Sequence, residues 1–323
     1  MTQARAKFGV VLPTLTSTFD LTSSAAKTAE KNGFTSVWCF DHLISEPEFY
    51  RLLDVNPDSF KLLETWTTLT AVAVQTKRVM LGTAVSPLPR YNPTFLAKIV
   101  TTLDVVSKGR TILGVGAGHH KPEFELNGFP WKTVHERIEM MREGVEIIKK
   151  LWTQSRTTYI GKYFKVKEAP HEPKPIQKSH PAIWIGGNIP AMLKETAEIG
   201  NGWIPYHQTP QEYEEKWNKI EETAENAGRK PKEIEPAYFM DTCIGLDEKQ
   251  TIKKAKLYIE AGHEKTFEKI KQHGAYGTPE TVVDQIEKFM EAGVKHFVLV
   301  LVPQRDTLNS IQLYSEKVLP QFI

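Results

Sequence analysis

Short β-rich apolar runs, separated by segments patterned as helices, recur along the whole chain and limit its fold more than any other feature. The runs are Phe8–Leu12, Ser36–Phe40, Val79–Val85, Thr111–Val115, Ala182–Ile185, Gly202–Pro205, Ala237–Ile244 and His296–Val302. Between them apolar positions fall three or four apart, the period of a one-sided helix. Val134, Ile138, Met141, Val145, Ile148 and Leu151 form one such stripe and predict a helix over 134–151. Asn92 before Pro93 reads as a capped helix start leading into Phe95, Leu96, Ile99, Val100 and Leu103. Thr278-Pro279 opens another, with Val283, Ile286 and Met290 on its stripe and Gly293 as its stop. Strands that alternate with helices pair in parallel, because a parallel neighbour is reached only through a long crossover. Near-continuous apolar strands suit burial on both faces. Eight repeats match a closed TIM (β/α)8 barrel, which leaves no edge strand; an open doubly wound sheet is the alternative.

A length of 323 residues suits one barrel domain, 1–323, carrying insertions at about 42–63, 157–180 and 247–276. These insertions are expected at the C-terminal face of the strands. Lys and Arg total 41 against 39 Asp and Glu, so no electrostatic footprint for nucleic acid or an acidic membrane exists. No run approaches the ~20 apolar residues of a spanning helix. The N-terminal MTQARAKFGVVLP lacks the pattern of a signal peptide. Cys39 and Cys243 cannot make a disulfide framework, and a reducing, cytoplasmic setting is expected.

In such a barrel the chemistry gathers where the strands end. The second strand ends in Asp41-His42, a carboxylate beside an imidazole that can move a proton near neutral pH; the plain alternative is a loop cap beside a satisfied polar residue. The fourth ends Gly114-Val115-Gly116-Ala117-Gly118-His119-His120, which is not the G-x-G-x-x-G of a dinucleotide fold. Its glycines permit close backbone approach to a flat ligand. Gly186-Gly187-Asn188 precedes a helix, where free N–H groups attract a phosphate. His119 and His120 with Glu123 are neighbours on one element, so a metal site is not expected and the pair reads as pocket lining. A G-x-S-x-G elbow is absent. Trp38 and Trp184 are expected to pack within strands, and Trp203 to come near a cofactor.

FGVVLP, SVWCFDH, RVMLGTAVSPLPRYNP, GRTILGVGAGHHKPEF, RIEMMREGVEIIKKLW, YIGKYF, PAIWIGGN, GNGWIP and YGTPETVVDQIEKFMEAGVKHFVL, in this order and spacing, resemble the bacterial-luciferase-like superfamily of TIM barrels that bind FMN or the deazaflavin coenzyme F420. The chain looks most similar to the F420-dependent reductases and dehydrogenases, such as methylenetetrahydromethanopterin reductase. The resemblance implies hydride transfer between F420 and a small organic substrate, with no nucleic-acid or membrane partner, in a homodimer. It implies that Asp41 contacts the ring and His42 handles a proton, and that a non-proline cis peptide at Ala84–Val85, with Ser86, backs the ring. Ala117 and Gly118 would lie along the ring and side chain, while Gly186, Gly187 and Asn188 would hold the phosphate. Two departures set this chain apart: His119 stands where the sugar-phosphate and alcohol dehydrogenases carry a catalytic glutamate, and Glu46 where they carry a tryptophan. His119 keeps a proton-active group in place and is a second catalytic candidate. An FMN-dependent monooxygenase and a non-catalytic flavin-binding barrel are the alternative readings.

Overall fold

The computed structural model describes residues 6–15, 17–44, 61–262 and 266–322, with the side chains of 261 and 262 left aside. Eight parallel strands form the frame: β1 (Lys7–Val11), β2 (Ser36–Cys39), β3 (Met80–Thr83), β4 (Thr111–Gly116), β5 (Ala182–Gly186), β6 (Gly202–Ile204), β7 (Glu235–Ile244) and β8 (His296–Leu301). Each pairs with the next, β8 pairs with β1, and the ring closes into the TIM barrel expected from the alternation. The seam between β6 and β7 is short, with Glu235 opposite Gly202 and Pro236 opposite Trp203.

Helices α1 (Phe19–Lys31), α2 (Thr65–Gln75), α3 (Pro93–Ser107), α4 (Lys121–Leu126), α5 (Val134–Thr153), α6 (Pro190–Ile199), α7 (Pro210–Asn226), α8 (Glu248–Gly262), α9 (Pro279–Glu291) and α10 (Thr307–Leu313) lie between or after the strands. The caps follow the sequence reading. Asn92 accepts the N–H groups of Thr94 and Phe95, and Thr278 that of Thr281. Thr133 and Glu136 close a reciprocal capping box at the start of α5. Phe95 departs from the expected stripe: it points outward and is 64% exposed.

Two apolar layers result. One, between strands and helices, includes Leu81, Leu96, Val100, Met141, Ile148 and Phe297. The other fills the barrel itself, where the rings of Trp38 and Trp184 lie 4.9 Å apart, tilted by 36°. A Cβ on Gly9 or Gly82 would collide with Trp38, and one on Gly202 with Trp184, so these glycines make the indoles' room. Below them, at the strands' N-terminal ends, Trp38 Nε1 donates to Ser36 Oγ (2.8 Å), and Ser36 Oγ bonds His296 Nε2 (2.9 Å). Burial lowers the His296 pKa against the pull of Glu235. The lower half of the barrel is therefore packed, and polar functional groups collect above it.

The insertions separate by position. The segment after α5 forms an antiparallel hairpin, Arg156–Ile160 with Lys165–Pro170, that lies along the outer side of α5, where Glu143 accepts the N–H groups of Lys162, Tyr163 and Phe164. Its return passes the C-terminal half of α3 and the start of β4, with Asp104 accepting from Ile176 and Gln177 Nε2 donating to the Thr111 carbonyl. A helix-to-strand connection emerges opposite the strand-to-helix connections, so 157–180 sits at the far end from the expected site, not at its mouth. The stretch 247–276, unpatterned in sequence, contains α8, whose Ala255 and Ile259 pack with Cys243 and Tyr276 beside the mouth. Most of 42–63 lies outside the described residues.

At the top of β3 the Ala84–Val85 peptide is cis, as the resemblance implied. Gly114, Gly116 and Gly186 surround this bulge: a Cβ at Gly114 would lie 1.8 Å from the Thr83 carbonyl oxygen, and one at Gly116 or Gly186 within 2.9 Å of the Val85 side chain. These glycines thus admit the bulge, where the sequence suggested admission of a ligand. Gly114→Ala is expected to cost at least about 3 kcal/mol, because backbone blocks relief. Urea unfolding checks this, and a loss under about 1 kcal/mol would show that the bulge can yield.

Candidate active site

The carboxylate of Asp41, just past β2, points down into protein. It accepts from Ser86 Oγ, from Arg90 Nη2 and from Tyr91 OH (2.8 Å to Oδ2), and Arg90 also reaches its carbonyl at 3.1 Å. Burial pushes the Asp41 carboxyl above its ordinary range, while Arg90, Ser86 and Tyr91 pull it back. The other end of the Arg90 guanidinium holds Glu123 of α4, with Nη1 at 3.1 Å from Oε2. Asp41, Arg90 and Glu123 are each at least 97% buried in their side chains.

Glu123 gathers the chain after β2. Its Oε1 accepts the Leu43 N–H at 2.5 Å and the His42 Nδ1–H at 3.3 Å. Burial works to raise the Glu123 carboxyl, but the bonds from His42 and Leu43 and the charge of Arg90 outweigh it and hold the pKa at about 2. Fixing Nδ1 leaves Nε2 as the imidazole's working nitrogen. The His42 side chain is 29% exposed, so it meets the mouth, unlike the carboxylates behind it.

His119 and His120 follow β4. Their rings stand 5.9 and 6.3 Å from that of His42, His119 open to solvent at the rim and His120 buried. Loss of hydration on its protein side, with His42 and His120 adding to it and Glu123 opposing, pushes the His119 pKa down to about 4. It is therefore uncharged at neutral pH, able to exchange hydrogen bonds but not to act as an acid there. Arg137 of α5 donates through Nε to the Ala117 carbonyl (3.1 Å) and through Nη2 to that of Gly118 (3.4 Å), fixing the turn that presents His119. Gly118 has φ +78, and a Cβ there would strike Phe124.

Around the ring, Gly187 is exposed with φ +117. The helix α6 that follows begins with no side-chain cap, since Ile189 occupies that position. Pro190 has no N–H and Met192 donates to the Ile189 carbonyl (2.9 Å), which leaves Ala191 as the first-turn donor for an anion, in keeping with a phosphate-bearing ligand. Trp203 Nε1 holds the Gly187 carbonyl at 2.8 Å, and Asn188 Nδ2 donates to the Tyr206 carbonyl at 3.2 Å. Trp203 is fully buried against Tyr213 and Trp217, so it supports this loop from behind and does not enter the mouth. Trp38 and Trp184 are in the interior as expected.

The fold thus brings Asp41, His42, Ala84, Val85, Ser86, Ala117, Gly118 and His119 to one side of the mouth, with Gly186 against Val85 and Gly187 beyond. Arg90, Tyr91, Glu123 and Arg137 were missed as working residues. The only sequence signal for Arg90 was its place in the LPRYNP segment.

Residues 6–273 match the family model for luciferase-like monooxygenases. The 5,10-methylenetetrahydromethanopterin reductase of Methanopyrus kandleri is 30% identical over 92% of this chain and 93% of its own length. The F420-dependent glucose-6-phosphate dehydrogenase of Microbacterium testaceum is 28% identical over 91% and 90%. The solved coenzyme F420-dependent tetrahydromethanopterin reductase from Methanopyrus kandleri superposes with a TM-score of 0.81 at 28% identity, covering 98% of this chain and 99% of that one.

Glu123→Gln should cost about 3–4 kcal/mol at neutral pH. The folded pKa of about 2 lies below the ordinary glutamate value of 4.5, so the stabilisation is fully present above about pH 4.5 and disappears as pH falls toward 2. Urea curves of the two proteins should converge over that window; an unchanged gap at its acidic end would refute the ion network.

Proposed function

Because this chain belongs to the luciferase-like monooxygenase family, we propose that it is an oxidoreductase transferring a hydride between coenzyme F420 and a small organic substrate. The observation that carries this reading is the pairing of a buttressed bulge at Ala84–Val85 with an imidazole held by a buried carboxylate beside it. F420-dependent relatives over nine-tenths of the chain support F420 ahead of FMN. Coenzyme F420, when bound, supplies the hydride chemistry of its deazaflavin ring.

The chain's own residues do the rest. Val85, wedged among glycines, and Ala84 offer a stiff shelf for a planar ring. Asp41 positions Ser86 and the end of β2, and a ring contact from this region runs through the backbone it fixes. Glu123 keeps the Nδ1 proton of His42 in place, so Nε2 takes or returns the proton that accompanies hydride transfer. His119, neutral at working pH, serves the substrate as a hydrogen-bonding partner; the charge of a glutamate is absent there, which sets this substrate apart from those of the sugar-phosphate dehydrogenases. Gly187 and the uncapped start of α6 hold the cofactor's phosphate, with Gly186 and Asn188 shaping the loop and Ala117 and Gly118 bordering the ring.

A second copy of the chain is the partner we assign, through α2 and α3, where Val74, Phe95, Val105 and Val106 are exposed. Two free, buried cysteines and the absence among the described residues of any helix long and apolar enough to cross a membrane support a cytoplasmic setting.

Titration followed by absorbance and fluorescence should show binding of F420 in preference to FMN; tight FMN binding with none of F420 would overturn the cofactor assignment. His42→Ala should leave F420 affinity within about threefold and lower turnover at least about a hundredfold. Gly187→Val should weaken F420 by more than about tenfold, as its side chain intrudes where the phosphate approaches. On light-scattering chromatography the protein should run as a dimer and Phe95→Glu as a monomer, with a monomeric parent ruling the interface out.

A further inference from the structure

We propose that His42, His120 and Glu123 form a seat for a transition-metal dication of the zinc class at the barrel mouth. One donor atom from each lies within 4.8 Å of the others, and His120 and Glu123 are buried. Sequence adjacency hid this arrangement, because it joins the end of β2 to the start of α4. Zinc binds nitrogen and oxygen at about 2.0–2.2 Å, which places neighbouring donors roughly 3.3 Å apart. His42 Nδ1 and Glu123 Oε1 already stand 3.3 Å apart, and side-chain rotation brings in the third donor.

The charge balance favours a cation. Asp41 and Glu123 share one guanidinium, that of Arg90, so these three buried groups together carry a net negative charge. Arg90 occupies Oε2 and orients the carboxylate, as outer partners of metal ligands do, while Oε1 faces His42. His119, at the rim beside His42, can supply a fourth donor or leave that position to water. Two imidazoles and one carboxylate select zinc, cobalt, nickel or copper over magnesium and calcium. The exposed His135–Glu139 pair, by contrast, offers two donors and no enclosure.

Occupation would draw His42 Nδ1 from its proton to the metal and take the imidazole out of proton transfer. This consequence rests on the hydride-transfer reading; the binding does not.

Tag-free, full-length protein without cofactor is titrated with CoCl2, following visible absorbance, and with ZnCl2 by calorimetry, with MgCl2 as control. One cobalt per chain is expected, displaced by zinc and not by magnesium. His120→Gln and Glu123→Gln should each weaken binding at least tenfold, and His135→Gln should not change it. Should those variants misfold, zinc should protect His42 of the parent protein from carbethoxylation, read by mass spectrometry. Absence of a cobalt spectrum at millimolar metal, binding that survives His120→Gln, or no protection of His42 would each overturn the seat. A parallel F420 titration of metal-free protein tests the cofactor reading separately: zinc binding without F420 binding removes the inhibition and keeps the seat.

Discussion

One guanidinium between two buried carboxylates organises the mouth of this barrel. Arg90 sits just after the β3 bulge, Asp41 after β2 and Glu123 on α4, so their ion pairs tie three strand ends together where hydrogen bonding between strands has stopped. Ions so deeply buried are tolerated only with partners for their charges and lone pairs, and here Ser86, Tyr91 and the Leu43 N–H add hydrogen bonds to the two carboxylates. Removing one partner strands the others and costs about 3–5 kcal/mol in comparable networks. The imidazole of His42 is the network's outlet to solvent. Its orientation is set by a chain of charges running back into the protein, so a proton at Nε2 is governed from behind while the nitrogen itself stays accessible.

The second constraint is steric and runs the other way. Val85 needs space on β4 and β5, and the glycines at 114, 116 and 186 provide it by having no Cβ. The bulge cannot sink or slide, because its neighbours are backbone. A rigid shelf and a steered imidazole therefore stand side by side above a lower barrel filled by Trp38 and Trp184. The arrangement suits chemistry in which a flat cofactor brings the electrons and the protein contributes position, exclusion of water and one proton.

Much of the fold was legible because it rests on periodicity. All eight strands and the capped helices at Asn92 and Thr278 have local causes: apolar runs, a side chain that accepts backbone N–H groups, a proline at the first helical position. Phe95 shows the limit, since its spacing fits the stripe of α3 but its direction is outward. The glycine run of β4 shows another. A missing Cβ announces that something comes close, without saying whether it is a ligand or, as here, a neighbouring strand's bulge.

By itself the sequence determined the order of elements, the number of strands and the end of the barrel at which polar residues accumulate, because each of these follows from neighbours within a few positions. Asp41, His42 and His119 were readable as strand-end residues for the same reason. Which groups hold them was decided only in three dimensions. Glu123 lies 81 positions from His42, and Arg90 lies 49 from Asp41; nothing local distinguishes these side chains from surface charges. Closure of the barrel brings their strand ends into one ring, and burial then makes each charge depend on the others.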